Sequence, residues 1–309
     1  MLESNTIDFI GDIHGHAYKL VVLLNKLGYT YNGQSYFHPD NRKVLFVGDY
    51  IDRGPNIKET LDIVKKMVAS GNAIALMGNH EYNALCFHFQ EREGGHLRKH
   101  EIKNIIQHYE TLKQFQNKQK EYEDYIEWIK TLPLYYETKS FRAVHACWDK
   151  KDIDFLKRKL SSGKLTNDLI YESAKKGSRL NSAIDITLKG KETSLPDGLN
   201  FKDKDGTVRT EIRVKWWEDP LKSTYKKLSV VSIDKLPNLL IPKSKLSSSY
   251  YYNEIDKPIF FGHYWLNGKP LLYRNNICCL DYSVAKQGYL VAYRFNGEKK
   301  LYNKNLIYV

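Results

Sequence analysis

The sequence predicts an α/β fold built from βαβ units around a largely buried sheet, and three observations carry that prediction. An apolar run, a glycine-rich polar turn and an amphipathic stretch succeed one another three times over about the first 80 residues. Each turn holds short polar motifs in the same place, directly after the apolar run. The C-terminal stretches ICCLDY, GYLVAYRF and KKLYNKNLIYV alternate as hairpin strands do.

Taken in order, residues 6–10 predict a strand that leads through GDIHG into a helix over 16–27. Leu20, Leu23, Leu24 and Leu27 lie there at helical spacing. Residues 43–47 lead through GDYIDRG into a helix over 57–69. Residues 73–76 lead through GNHE into a helix beginning near Tyr82. Residues 98–132 are polar with helically spaced apolar positions and stop at Pro133, which reads as a helical insertion. A strand pair follows over 134–138 and 141–145, and 151–180 returns to helix. The stretch KGKETSLPDGLNFKDKDGTV reads as a surface excursion, and 221–257 is irregular, with KSKLSSSYYYNE its loosest part. Residues 181–257 together predict a variable surface or cap insertion. A last strand over 258–262 precedes the closing hairpins. With no repeat and no convincing linker, one domain over 1–309 is expected.

Composition fits a globular protein, with 42% hydrophobic and 27% charged residues among 309. No apolar run approaches the roughly 20 residues that span a bilayer. The start MLESNTIDFIGD lacks a basic stretch followed by an apolar one, so no secretory leader and a cytoplasmic location are expected. The four cysteines form no CxxC pair and predict free thiols in a reducing compartment. The net charge of +12 suggests an anionic partner, either nucleic acid or a phosphorylated molecule. The lysines are scattered rather than gathered in one arm, so a solvated surface is their ordinary explanation and a nucleic-acid partner is the less favoured one.

The chemistry-bearing residues collect at strand ends: Asp12 and His14, Asp49 and Asp52 with Arg53, Asn79 and His80, His145, and His263. Each has a plain alternative, since Asp12 or Asp49 could cap a helix and a lone histidine could be a satisfied polar residue. Their conjunction does not: independent caps do not require DxH, GDxxDRG and GNHE after three successive strands. Carboxylates mixed with imidazoles suit Mn, Fe or Zn. A shared aspartate would hold two ions about 3.5–4 Å apart, where they polarise a phosphoryl group and acidify a bridging water.

GDIHG, GDYIDRG and GNHE resemble the signature motifs of the phosphoprotein-phosphatase group of calcineurin-like metallophosphoesterases. That group includes serine/threonine protein phosphatases and symmetrical bis(5′-nucleosyl)-tetraphosphatases. VHACW and FGH resemble its two later histidine motifs, and the C-terminal GHYW and LDY look closer to bacterial members. The resemblance implies a four-layer αββα sandwich, two central mixed sheets flanked by helices. It also implies that Asp12, His14 and Asp49 hold one divalent ion. Asp49 would bridge to a second ion held by Asn79, His145 and His263. Manganese comes first, with iron, zinc, nickel or cobalt as alternatives. Arg53 would clamp the phosphate, with Asn79 also toward substrate, and His80, oriented by Asp52, would protonate the leaving oxygen.

The implied activity is hydrolysis of phosphomonoesters, including phosphorylated Ser, Thr or Tyr of proteins, by in-line attack of a metal-bridging hydroxide. Hydrolysis of nucleotide phosphoanhydrides, and nucleic-acid binding or RNA end processing, are the alternatives. Some positions depart from the pattern. Ala146-Cys147 stands where two glycines are usual, and Met77 replaces an arginine. Between WWEDP and the last histidine motif no arginine stands, leaving Lys222 and Lys286 as open substitutes for a second phosphate-gripping cation. Trp216, Trp217 and Tyr250 to Tyr252 offer stacking planes, with packing as their ordinary role. His88, His96, His100 and His108 read as surface or structural.

Overall fold

A computed structural model describes residues 6–91, 94–202, 208–233, 236–246 and 250–309. Parts of three sequence readings, at 1–5, 203–207 and 247–249, lie outside the described residues. The principal strands are β1 (Ile7–Ile10), β2 (Lys43–Phe46), β3 (Ala73–Ala75), β4 (Tyr135–Glu137), β5 (Arg142–Val144), β6 (Ile259–Phe261), β7 (Ile277–Cys279), β8 (Asp281–Tyr282), β9 (Tyr289–Phe295) and β10 (Leu306–Tyr308). The principal helices are α1 (Ala17–Lys26), α2 (Ile57–Ala69), α3 (Asn79–His88), α4 (Ile102–Gln114), α5 (Gln119–Lys130), α6 (Lys150–Lys159), α7 (Asn167–Ala174) and α8 (Arg179–Lys189).

One sheet runs β8-β9-β1-β2-β3, with β10 on the free side of β9. Strands β1, β2 and β3 are parallel, whereas β9 is antiparallel to β1. The second sheet runs β7-β6-β5-β4; β7, β6 and β5 are parallel and β4 is antiparallel. Both sheets are therefore mixed. Period-two alternation sends neighbouring side chains to opposite faces. Phe9, Leu45, Val47, Phe141, Phe260 and Cys278 fill the space between the sheets. Ile10, Phe46, Val144, Phe261 and Cys279 face outward into the helices. Leu20, Leu23 and Leu24 of α1 and Leu61 and Val64 of α2 cover one outer face, and Ile153, Leu156, Ile184 and Leu188 of α6 and α8 cover the other. This is the four-layer αββα arrangement expected. Its centre is aromatic: Phe9 stacks on Phe260 and meets Phe141 edge-on with ring centres 5.0 Å apart. Truncating such a ring costs about 3–5 kcal/mol.

Three local readings change. Helix α3 starts at Asn79 rather than near Tyr82, so GNHE forms its first turn. Helix α8 runs to Lys189, so the surface excursion begins later than its composition suggested; two short hairpins follow, one pairing Glu192–Ser194 with Glu211–Arg213. Trp216, Trp217 and Tyr252 are buried, and the Trp216 indole N–H donates to the Ala146 carbonyl at 3.0 Å. They pack, and offer no exposed face for stacking.

Candidate functional site

Register brings the motifs together. Ile10 lies opposite Phe46 and Phe46 opposite Ala75, so β1, β2 and β3 end level and their turns share one edge. In the other sheet β5 and β6 run parallel, delivering His145 and His263 from the turns that follow them. Those turns are tightly wound. His14, Asp49, Asp52, Arg53 and His263 have φ of 45°, 57°, 67°, 69° and 74°, a left-handed region that costs a non-glycine residue about 1–3 kcal/mol. Surrounding bonds hold them there. The N–H groups of Ile13 and His14 both donate to the Asp49 carbonyl. Two glycines permit the close approach. A Cβ on Gly78 would stand 2.2 Å from Asp49 Oδ1, and one on Gly262 would stand 1.9 Å from Asp12 Oδ1.

All the metal-ligand candidates are buried at this edge: Asp12, His14, Asp49, Asn79, His145 and His263. His14 Nδ1 donates to the Ile51 carbonyl at 2.9 Å, which turns Nε2 inward, 3.6 Å from Asp49 Oδ2. His145 Nδ1 donates to the Val47 carbonyl at 2.9 Å, so its Nε2 faces Asn79 Oδ1 at 3.0 Å and Asp49 Oδ1 at 3.4 Å. His263 Nδ1 lies 2.7 Å from the same Asn79 oxygen, and its backbone N–H donates to Asp12 Oδ2 at 3.0 Å. Backbone carbonyls thus set the ring orientation of His14 and His145, as outer-shell partners of ligating histidines do.

The donor set fits divalent cations. Asp12 Oδ1, His14 Nε2 and His263 Nε2 are buried without a hydrogen-bond partner, a costly condition in a protein interior unless another species completes them. Among the described residues, two groups of three have ligand atoms within 4.8 Å of one another. One is His14, Asp49 and His80; the other is Asp49, His145 and His263. Asp49 belongs to both, and the carboxylate–imidazole mixture suits first-row metals. Burial, chiefly, pulls His14 down to about 3 and lowers His263, keeping both imidazoles neutral as ligands require. Burial pushes Asp49 up, but His145 and His80 hold it well below the ordinary carboxylate range.

His80 falls within ligand distance of Asp49, yet its other partner points to a separate task. Its Nδ1 lies 2.5 Å from Asp52 Oδ2. A carboxylate can only accept, so Nδ1–H donates and Nε2 is left toward the site. Burial alone would lower this histidine; the charges of Asp49 and Asp52 outweigh it and raise it. Arg53 Nη2 stands 3.4 Å from His80 Nε2, and its guanidinium lies over the Trp265 indole, 3.9 Å from the ring centre.

Several residues here escaped the sequence reading. Glu81, the last residue of GNHE, is fully buried and accepts N–H bonds from Asp49, Tyr50 and Gly78 at 2.8–2.9 Å. Burial, then the charge of Asp49, push it up to about 7. The motif itself was the signal for Glu81, with a carboxylate at the third position of a helix whose flanking N–H groups need acceptors. His108 and Thr111 on α4 contact Asp52; an amphipathic pattern gives no hint of that. Asp281 is buried and accepts from the backbone N–H of Trp265 at 2.7 Å, placing the indole at the site.

Of the open lysines, Lys286 lies 4.7 Å from the Trp265 ring centre, on the ring that also carries Arg53. Lys222 is exposed and pairs with Asp219 at 3.7 Å. Trp265 and Lys286 also line a cleft of about 1060 Å³, whose walls include Arg213, Lys202, Lys269 and Tyr273. In place of the usual glycines, Ala146 and Cys147 are buried, and both donate their N–H groups to the Thr187 carbonyl of α8.

A sequence model of the calcineurin-like phosphoesterase family matches residues 6–264. An asymmetrical bis(5′-nucleosyl)-tetraphosphatase of Oceanobacillus iheyensis is 36% identical over 141 residues, 45% of this chain and 54% of that protein. The protein of the same name from Halalkalibacterium halodurans is 48% identical over 73 residues, 24% of this chain and 30% of its own. The matched segments thus span between 30% and 54% of these relatives' length. A solved protein serine/threonine phosphatase of Saccharomyces cerevisiae aligns over 98% of this chain and 78% of its own, at 14% identity and a TM-score of 0.48.

Proposed function

The chain belongs to the calcineurin-like phosphoesterase family, and from that premise we propose that it is a two-metal phosphoesterase that hydrolyses phosphomonoesters, phosphorylated protein side chains among them. The observation that supports this most is the ring of inward, uncompleted donors, Asp12 Oδ1, His14 Nε2 and His263 Nε2, around the buried Asp49 carboxylate. Asp12, His14 and Asp49 would hold one divalent ion, and Asp49, Asn79, His145 and His263 the other. Bound there, the ions supply Lewis-acid polarisation of phosphoryl oxygens and a water acidic enough to attack at neutral pH.

The chain's own groups do the rest. Arg53 presents a planar fork that matches two phosphate oxygens, and the Trp265 face keeps its plane extended beside the site. Lys286 adds a point charge at the cleft side of the same indole. When charged, His80 carries a proton on Nε2 that passes to the departing ester oxygen as the P–O bond breaks and the electron pair leaves with oxygen. Asp52 holds that ring in place and favours its charged form.

A second reading, cleavage of a nucleotide phosphoanhydride, is favoured by the names of the bacterial relatives and by the cleft. Apolar walls such as Ile212 and Tyr273 stand beside Arg213, Lys269 and Lys286, a surface suited to a nucleoside followed by phosphates. The two readings separate on one substrate panel with purified, manganese-loaded protein. Faster phosphate release from phosphopeptides and aryl phosphates than from diadenosine tetraphosphate is the expected result. Rapid production of ATP and AMP from the dinucleotide, with negligible phosphopeptide turnover, would establish the second reading. RNA binding at low salt that persists in Asp49→Asn would favour a nucleic-acid partner instead.

A further inference from the structure

Helix α4 packs Leu112 against the core, but the side chains it buries most deeply are polar. Ile102, Ile105, Ile106 and Tyr109 are exposed, whereas the fully buried residues of this helix are the polar His108 and Thr111. An amphipathic helix ordinarily spends its buried face on apolar side chains. Here both buried side chains reach one target. His108 Nδ1 lies 2.7 Å from Asp52 Oδ1, and the Thr111 hydroxyl donates to the same oxygen at 2.5 Å. The Asp52 backbone N–H in turn donates to Thr111 Oγ1 at 3.0 Å.

The donor directions close without an orphan. Asp52 only accepts, so His108 Nδ1 carries a hydrogen. His108 Nε2 then accepts the Tyr122 hydroxyl of α5 at 2.7 Å, and that oxygen accepts from His88 Nε2 at 3.1 Å. Asp52 therefore has its two oxygens divided: Oδ1 is held by α4, and Oδ2 is left for His80. Without the α4 donors the carboxylate could rotate about its own bond, and the 2.5 Å contact to His80 would lose its fixed direction.

We propose that His108, assisted by Thr111, is a positioning residue that locks the Asp52 carboxylate so that His80 is aimed at the leaving oxygen. The segment 98–132, which reads as an insertion, thereby reaches into the chemistry of the site. The inference rests on the phosphoesterase reading above, and it concerns the leaving-group side of the reaction only. His108 lies outside the set of residues facing the metal positions.

The test uses full-length, manganese-loaded protein and two esters of opposite demand. Phenyl phosphate has a poor leaving group that needs a proton, whereas 2,4-dinitrophenyl phosphate leaves unaided. His108→Ala is expected to lower kcat on phenyl phosphate by about tenfold to a hundredfold, less than the roughly 10²–10⁴-fold of a lost general acid, because His80 itself remains. On the dinitrophenyl ester kcat should stay within about twofold. His108→Asn, whose amide N–H stands where Nδ1 was, should recover part of the phenyl phosphate rate. Thr111→Val carries the same selective loss and serves if His108→Ala does not fold. Equal losses on both esters, or no loss on either, overturn the proposal. His80→Asn is the reference: if it also shows no selectivity while the wild type turns over both esters, the acid role of His80 fails, and the positioning role falls with it. If His80→Asn is selective and the His108 and Thr111 variants are not, only the positioning role is lost.

Discussion

Glu81 Oε2 accepts the backbone N–H of Asp49 at 2.8 Å, so the end of GNHE fastens the loop that begins GDYIDRG. The same oxygen accepts from Gly78, and Oε1 accepts from Tyr50. One buried carboxylate thus supports the left-handed backbone at Asp49 and starts helix α3. Glu81→Gln replaces one oxygen with an NH2 that faces N–H donors. It should cost about 1.5–3 kcal/mol, the range for hydrogen bonds to a charged group. Urea unfolding at pH 8, above the value of about 7 to which Glu81 is raised, measures it. An unchanged midpoint would show that the loop holds itself.

Asp49 is the residue common to both groups of potential ligands. Asp49→Asn is expected to bind substantially less manganese by elemental analysis and to reduce turnover to near background, with far-UV circular dichroism unchanged. The metal readout matters because His80 also donates its backbone N–H to Asp49 Oδ1, so activity alone could fall through the loop. Full activity in wild-type protein stripped of metal, with the stripping verified by elemental analysis, would refute the two-metal account.

The βαβ units and the motif edge were legible because their signals are local, whereas the four layers followed only from the resemblance of the motifs to a known family. Short continuous apolar runs define strands with two buried faces, and Asp12, Asp49 and Asn79 sit directly beyond them. Contacts that join distant segments were not legible. His108 is 56 residues from Asp52, and nothing in the spacing of α4 marks its polar face as the buried one. That Lys286 and Arg53 share the Trp265 indole, whose backbone Asp281 holds, could not be read from spacing either. The start of α3 was missed by three residues because Gly78 and the polar Asn79-His80-Glu81 look like loop. Their side chains are committed to the site, so amphipathic periodicity begins only later.

Arg53→Lys keeps the charge but loses the fork and the stacked plane over Trp265. With phenyl phosphate, kcat/KM should fall by about 10–100-fold, the equivalent of about 1.5–3 kcal/mol for one charged hydrogen bond. Metal content should remain at the wild-type level, since Arg53 stands outside the ligand set. Wild-type kcat/KM in this variant would mean that charge alone suffices at this position, and a lost metal would mean that the change disturbs the loop rather than substrate binding.

The strands that deliver His145 and His263 are tied at their far ends by Glu137. Its carboxylate accepts from Arg142 of β5 at 2.8 Å and Lys157 of α6 at 2.6 Å, and pairs with Lys257, just before β6, at 3.1 Å. Burial raises Glu137, but hydrogen bonds from Lys157, Arg142 and Lys257 outweigh it and bring it from 4.5 to about 2. A carboxylate lowered on folding binds fewer protons in the native chain than in the unfolded one. Its contribution is therefore complete above about pH 4.5 and disappears as pH falls toward about 2. Glu137→Gln should lower Tm at pH 7 while bringing variant and wild type closer together as pH is lowered through that window. Solvent screening keeps the difference modest, because the cluster is partly exposed. Parallel Tm curves for the two proteins between pH 5 and pH 3 would remove Glu137 as a source of acid sensitivity.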